Sequence, residues 1–167
     1  MLKNNKILIL NCGSSSVKWA LFTSSEKEIS RGIIEKIGEK GKTHHHAIQE
    51  TLKLLLQKKY ITSYKEICAV GHRVVHGGDL TKSSIVNEEI MKKIQEATKL
   101  APLHNPHNIE GIKAVQKLLV NAKNIAVFDT AFHRTIPDYA ATYGIPLSLT
   151  KKYKIKKYGF HGISYQY

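Results

Sequence analysis

The residues with the most chemical reach in this chain stand where apolar runs end. Asn11-Cys12-Gly13-Ser14-Ser15-Ser16 follows the apolar Ile7 to Leu10. It offers an amide side chain, hydroxyls, a permissive glycine and a row of backbone N–H groups, a combination suited to a phosphate. Arg73 lies near the end of the apolar run Ile67 to Val75, and His104 and Asn105 fall in a break bounded by Pro102 and Pro106. Asp129 closes the run Asn124 to Phe128, and His161 follows Phe160. Phosphoryl transfer asks for positioning, positive charge on the transferring oxygens, a divalent metal and exclusion of water rather than covalent help. Each residue also has a plainer structural role. Arg73 could be half of an ion pair, His161 a hydrogen-bonded core histidine, Asp129 a turn-closing residue and the Asn11–Ser16 stretch an ordinary hairpin loop. Their joint appearance at run ends points to a site.

Such a site needs elements to position it. Ile7 to Leu10, the polar turn and the alternating Val17 to Phe22 read as a hairpin. Glu28 to Ile34 follows as a third strand, and the polar Glu35 to Thr43 turns the chain. Thr43 to Lys59 has Ala47, Ile48, Thr51, Leu52 and Leu55 at helical spacing. Ile67 to Val75 reads as a buried strand that carries Arg73 to its C-terminal edge, ended by His76-Gly77-Gly78. Asn87 to Lys99 is helical by spacing, with acidic residues first and lysines later as the helix dipole favours. Asn105 is expected to cap the next helix with Pro106 at its first position. Asn124 to Phe128 is the next strand; 130–154 is assigned only loosely; Lys154 to Phe160 reads as a last strand. Ser164 is expected to cap a helix cut off at the terminus. The order β-β-β-α-β-α-α-β predicts an α/β fold with a mixed sheet and flanking helices, which binds ligands at strand ends.

The chain has 167 residues and 42% hydrophobic content, enough for one folded unit with a core. Its formal charge of +13 asks for an anionic ligand or an acidic partner segment. Lysines and arginines are scattered with no dense basic run among aromatics, which argues against nucleic acid. Lys3 and Lys6 before the apolar Ile7 to Leu10 faintly resemble an export signal, but that core is too short, and no segment suits a membrane span. Cys12 and Cys68 are not at metal-ligand spacing and read as reduced thiols, so a cytoplasmic protein is expected. Gly41-Lys42-Thr43 lacks the leading glycine of a Walker loop. His72 and His76 lie too far apart along a strand to share a zinc. His44-His45-His46 reads as solvated helix surface, with adventitious metal binding as its alternative.

The stretches NCGSSSVKW, GHRVVHGG, LAPLHNPHN, VFDTAFH and YGFHGIS occur in this order. Together they resemble the acetate kinase family, of the superfamily that includes sugar kinases, heat-shock chaperones and actin. The resemblance covers essentially the whole chain, 1–167, and matches that family's amino-terminal lobe. It implies an actin-like (ribonuclease H-like) ATPase lobe and reversible transfer of the ATP γ-phosphoryl to acetate, giving ADP and acetyl phosphate with Mg2+ or Mn2+. Propionate or butyrate kinase, or a non-catalytic phosphate or acyl-phosphate binding module, are the alternatives.

By the same resemblance Asn11 would hold metal and phosphate, Ser14 and Ser16 would line the phosphate loop, and Lys18 would lie on the ATP side. Arg73 would bind the acetate carboxylate and the transferring phosphoryl, with Val75, Leu103 and Phe160 around the methyl group. His104 and His161 would stabilise the transition-state oxygens. Asp129 matches the family's active-site carboxylate; acetate is already ionised at neutral pH, so metal or phosphoryl positioning is its easier task. Tyr165 stands where a histidine is common, Ile163 where a threonine is common, and Lys156-Lys157 where two arginines are frequent, keeping charge but losing the planar fork. The family's second lobe, with its adenosine pocket, a further arginine and a metal-binding glutamate, has no counterpart in these residues. The resemblance therefore implies an inactive fragment, and a homodimer for the full-length enzyme.

Overall fold

The structure is a computed structural model that describes residues 5–167; Lys3, half of the export-signal reading, lies outside them. The apolar alternation in β1 (Lys6–Cys12) buries Leu8, Leu10 and Cys12 on one face, and β2 (Ser16–Thr23) buries Val17, Trp19 and Leu21 beside them. These strands pair antiparallel through the hairpin, with Leu10 opposite Trp19. β3 (Glu28–Glu35) pairs antiparallel with β2. Gly32 lies under the Trp19 indole, where a Cβ would come within 2.6 Å of the ring.

Helix α1 (His44–Gln57) starts at Thr43, whose hydroxyl accepts from the His46 N–H in a capping box. The third member of the would-be Walker triplet is thus a helix cap. Ala47, Ile48, Thr51, Leu52 and Leu55 form the buried face of α1, as their spacing predicts. Next come β4 (Ile67–Val74), a two-residue β5 (Ser84–Ile85), α2 (Glu88–Glu96), α3 (Asn105–Leu118) and β6 (Lys123–Phe128). Three short helices close the chain, α4 (Asp138–Ala141), α5 (Leu147–Tyr153) and α6 (Gly162–Gln166).

The sheet is mixed, in the order β3-β2-β1-β4-β6-β5. β1, β4 and β6 run parallel side by side, while β5 adds antiparallel to β6. α1 and α3 cover the β1, β2 and β4 side chains in one apolar cluster, and Val74, Ile94, Ile112 and Phe128 anchor a second under α2. The parallel arrangement brings the C-terminal ends of β1, β4 and β6 to one edge, so Asn11, Arg73 and Asp129 become neighbours in space.

Four expectations are corrected. Lys154 to Phe160 forms no strand: β5 occupies the β6 edge, and the stretch carries Lys154, Lys156 and Lys157. Ser164 lies inside α6 and caps nothing; His161 holds the N-cap position with left-handed φ 57° and makes no side-chain cap bond. Asn105 is the first residue of α3 rather than its cap, because its buried side chain is committed elsewhere. His44 is buried, not solvated surface.

Candidate active site

The centre of the site is an ion pair between neighbouring strand ends. Arg73 Nη2 donates to Asp129 Oδ2 at 2.6 Å, and its Nε lies 3.1 Å from Oδ1 and 3.2 Å from Oδ2. Asp129 is only 1% exposed, whereas the Arg73 side chain is 35% exposed. Its hydrogen bonds to Asp129 hold the Arg73 guanidinium above its already high pKa. Both readings of Arg73 thus apply: it is half of an ion pair, and it faces a cleft.

That cleft, of about 530 Å³, gathers nearly all the residues singled out from the sequence. Asn11, Ser16 and Lys18 line it from the hairpin, Arg73 and Val75 from the end of β4, and Leu103 and His104 from the break before α3. Asp129, Phe160 and His161 complete it. Ser14 is the exception, because it faces a neighbouring cleft with His44, His107 and Glu110. The turn reverses direction between Gly13 and Ser16, whose carbonyl accepts from the Gly13 N–H at 2.9 Å, so its serines point to different sides. Cys12 also lines the active cleft, but burial, reinforced by Glu110, pushes its thiol up to about 12, so it is a neutral wall and not a nucleophile.

Side chains whose structural role the sequence reading did not foresee hold the strand ends together. Asn108 accepts from the Val75 N–H at 3.1 Å and donates to the Cys12 carbonyl at 2.9 Å, tying β4 to β1. Asn105 accepts from the His76 N–H at 3.0 Å and donates to the His76 carbonyl at 2.9 Å. The Thr130 hydroxyl accepts from the Gly77 N–H at 3.1 Å. Two asparagines three residues apart share a helix face, and this spacing in the first turn was the available signal. Gly111 lets α3 come this close: a Cβ there would lie 2.4 Å from Cys12 Sγ.

The far wall is held by fewer bonds. Gly162 N–H donates to the Asp129 carbonyl at 2.8 Å, and His133 Nε2 lies 2.8 Å from the Phe160 carbonyl. His76 packs edge-on against Tyr158 and Phe160, with ring centroids 4.5 and 5.9 Å away. Burial lowers the His76 pKa, which favours the neutral ring whose Nδ1 accepts from the Gly78 N–H. Tyr165, where tyrosine stands in place of the common histidine, stacks on Phe132 and meets His133 edge-on. Lys157 donates to the Ala140 carbonyl, and Lys156 lies 3.7 Å from Asp138.

Among the described residues no helix is long and apolar enough to cross a membrane. The acetokinase family profile matches residues 39–167. Acetate kinase from Clostridium botulinum (strain Hall) is 46% identical over 97% of this chain, and that from Mycoplasma capricolum is 47% identical over 96%. The chain spans 46% of the length of each of these relatives. Among solved structures, Porphyromonas gingivalis acetate kinase superimposes with a TM-score of 0.90 at 39% identity, covering 98% of this chain and 47% of its own. A propionate kinase from Francisella tularensis gives a TM-score of 0.90 at 40% identity, with the same coverage. These kinases have the actin-like ATPase fold, in agreement with the mixed sheet and flanking helices seen here. The chain belongs to the acetokinase family.

Proposed function

We propose that this cleft is one wall of an acetate kinase active site, at which acetate or acetyl phosphate meets the terminal phosphate of ATP or ADP. The observation that carries the reading is the Arg73–Asp129 pair, set between the polar Asn11, Ser16 and Lys18 and the apolar Val75, Leu103 and Phe160. In the forward direction a carboxylate oxygen of acetate attacks the γ-phosphorus, the bond to the β,γ-bridging oxygen breaks, and that oxygen leaves on ADP. Acetate is ionised at neutral pH, so no proton has to be removed and Asp129 need not act as a base. Its task is to orient Arg73, whose Nη1 donors make no protein hydrogen bond among the described residues and are free for the carboxylate and the transferring phosphoryl. Lys18, Asn11 and Ser16 face the nucleotide phosphates, and His104 and His161 donate to the oxygens on which charge develops.

The residues present fit a hard divalent cation. The Asp129 carboxylate and the Asn11 amide carbonyl are oxygen donors in the same cleft, and magnesium takes few protein ligands beside substrate phosphates. Bound there, Mg2+ or Mn2+ would neutralise phosphate charge. The adenosine grip, a second arginine, cleft closure and the homodimer contacts are assigned to the part of the relatives' length that this chain does not span. Turnover by the 167-residue chain alone is accordingly expected at background in a coupled assay for acetyl phosphate. A cytoplasmic setting suits both ATP and the reduced Cys12 and Cys68.

Calorimetric titration with acetyl phosphate tests the reading on the chain itself. Arg73→Ala should weaken binding by about tenfold or more, and Arg73→Lys by less, since the charge remains while the fork is lost. Circular dichroism on each variant separates lost binding from lost fold. Equal binding by the wild type and a folded Arg73→Ala would overturn the assignment. The likeness to the propionate kinase favours a second acyl chain length, and competition between acetyl and propionyl phosphate in the same titration decides between them.

A further inference from the structure

Behind the phosphate turn, on the side to which Ser14 points, His44 from the first turn of α1 meets His107 and Glu110 from the first turns of α3. His44 Nδ1 lies 2.6 Å from Glu110 Oε2, His107 Nδ1 lies 3.7 Å from the same oxygen, and the two imidazoles stack with centroids 5.4 Å apart. The ligating atoms of all three residues fall within 4.8 Å of one another. We propose that His44, His107 and Glu110 form a binding site for a divalent transition metal of the zinc class, distinct from the magnesium position in the active cleft.

Hydrogen-bond chemistry carries the argument. His44 Nε2 lies 2.8 Å from the Gly13 carbonyl, which can only accept, so Nε2 bears the hydrogen. In a neutral ring Nδ1 then presents a lone pair, yet the nearest group is a carboxylate oxygen, which also presents lone pairs. A cation must lie between them, either a proton or a metal. A proton on His44 serves that ring alone and leaves His107 Nδ1, a buried atom with no hydrogen-bond partner, unsatisfied. A metal at the centre serves all three groups.

The spacing agrees. Bonds of about 2.1 Å in a tetrahedral zinc site place ligand atoms about 3.4 Å apart, between the two separations observed. Glu110 is 59% exposed and free to make the small adjustment. Two imidazole nitrogens and one carboxylate oxygen favour zinc, cobalt or nickel over magnesium or calcium. The Nε2–H to carbonyl bond is the support that a metal-bound histidine usually has. Lys113 and Lys117 line the same cleft and favour an anion, such as hydroxide or chloride, as the fourth ligand. Since the supporting carbonyl belongs to Gly13, occupancy would clamp the phosphate turn against α1 and α3.

The test is titration of the metal-free 167-residue chain with Zn2+ by calorimetry and with Co2+ by visible absorption. One metal per chain should bind, with the intense d–d bands of four-coordinate cobalt. His107→Ala and Glu110→Gln, both at partly exposed positions that tolerate substitution, should each weaken binding by about tenfold or more. A His45→Ala/His46→Gln double variant, which removes the two neighbouring imidazoles while keeping a side-chain acceptor for the Thr43 N–H at the start of α1, should keep the wild-type affinity. Absence of a one-per-chain site, wild-type affinity in His107→Ala and Glu110→Gln, or loss of binding in the His45/His46 variant would each overturn the proposal. None of these readouts depends on kinase activity.

Discussion

The two halves of the active cleft are built differently. Asn11, Arg73 and Asp129 sit at the ends of strands paired on both sides, next to the fully packed Leu10, Val74 and Phe128. Phe160 and His161 instead belong to the segment after Thr130, where each helix has seven residues or fewer and Tyr139, Leu147 and Tyr153 are more than 60% exposed. That segment is attached beside the site by the Gly162 N–H to the Asp129 carbonyl and by Phe160 against His76, and His133 braces Phe160 from within it. On the proposed reading, Asn11, Arg73 and Asp129 are fixed by the sheet, whereas Phe160 of the acyl wall and His161, a donor to the transferring oxygens, ride on a segment of low local stability. Substitutions in the sheet should cost stability and ligand binding together, whereas substitutions in the segment should act mainly on binding.

The largest expected effect lies in the sheet and depends on pH. His72 in β4 is 2% exposed and bonded through Nε2 to Asn124 Oδ1 at 2.8 Å; burial pushes its pKa down to about 4 from 6.5. The folded state therefore holds this ring neutral, while the unfolded chain takes up a proton below about pH 6.5. Its contribution is full above that pH and is lost as pH falls towards 4, a decline of about 3 kcal/mol. Urea unfolding at about pH 7.5 and about pH 4.5 should show the loss, and His72→Gln, which keeps a donor for Asn124, should flatten it. Next in size is Asn108→Ala, which leaves the Val75 N–H and the Cys12 carbonyl without their partner, a cost of about 2 kcal/mol. Its loosened strand ends should also weaken acetyl phosphate binding; an unchanged unfolding midpoint would mean that α3 does not hold β1 and β4 in register.

The same division governs what could be read from the sequence. Periodicity found β1 to β3, α1, β4 and β6 because each buries one face in a continuous core, which apolar spacing encodes directly. The motif residues came together, Ser14 excepted, since parallel strand ends must meet at one edge. Spacing failed after Thr130, where structure rests on individual contacts. Lys154 to Phe160 has strand-like residues but no edge to join. Asn105 and His44 were misread for a related reason: a cap residue and a surface histidine look identical in sequence to residues whose partners, the His76 backbone and Gly13, lie 29 and 31 positions away.

The smallest effect on stability, and the sharpest test of the contrast, is expected at His133. Its bond to the Phe160 carbonyl is exposed, so His133→Ala should cost under about 1 kcal/mol in unfolding free energy. Acetyl phosphate affinity should nonetheless fall several-fold, because Phe160 and His161 lose their anchor. Gly159 supplies the control: a Cβ there would lie 2.2 Å from His133 Cγ, so Gly159→Ala in the wild-type background must push the segment off the imidazole. Removing that ring removes the clash, and the Gly159→Ala/His133→Ala double variant should bind better than the sum of the single losses predicts. Additive losses would show the segment shifting freely around the extra methyl group, and Phe160 and His161 would then owe their place to the Gly162 to Asp129 bond and the His76 contact alone.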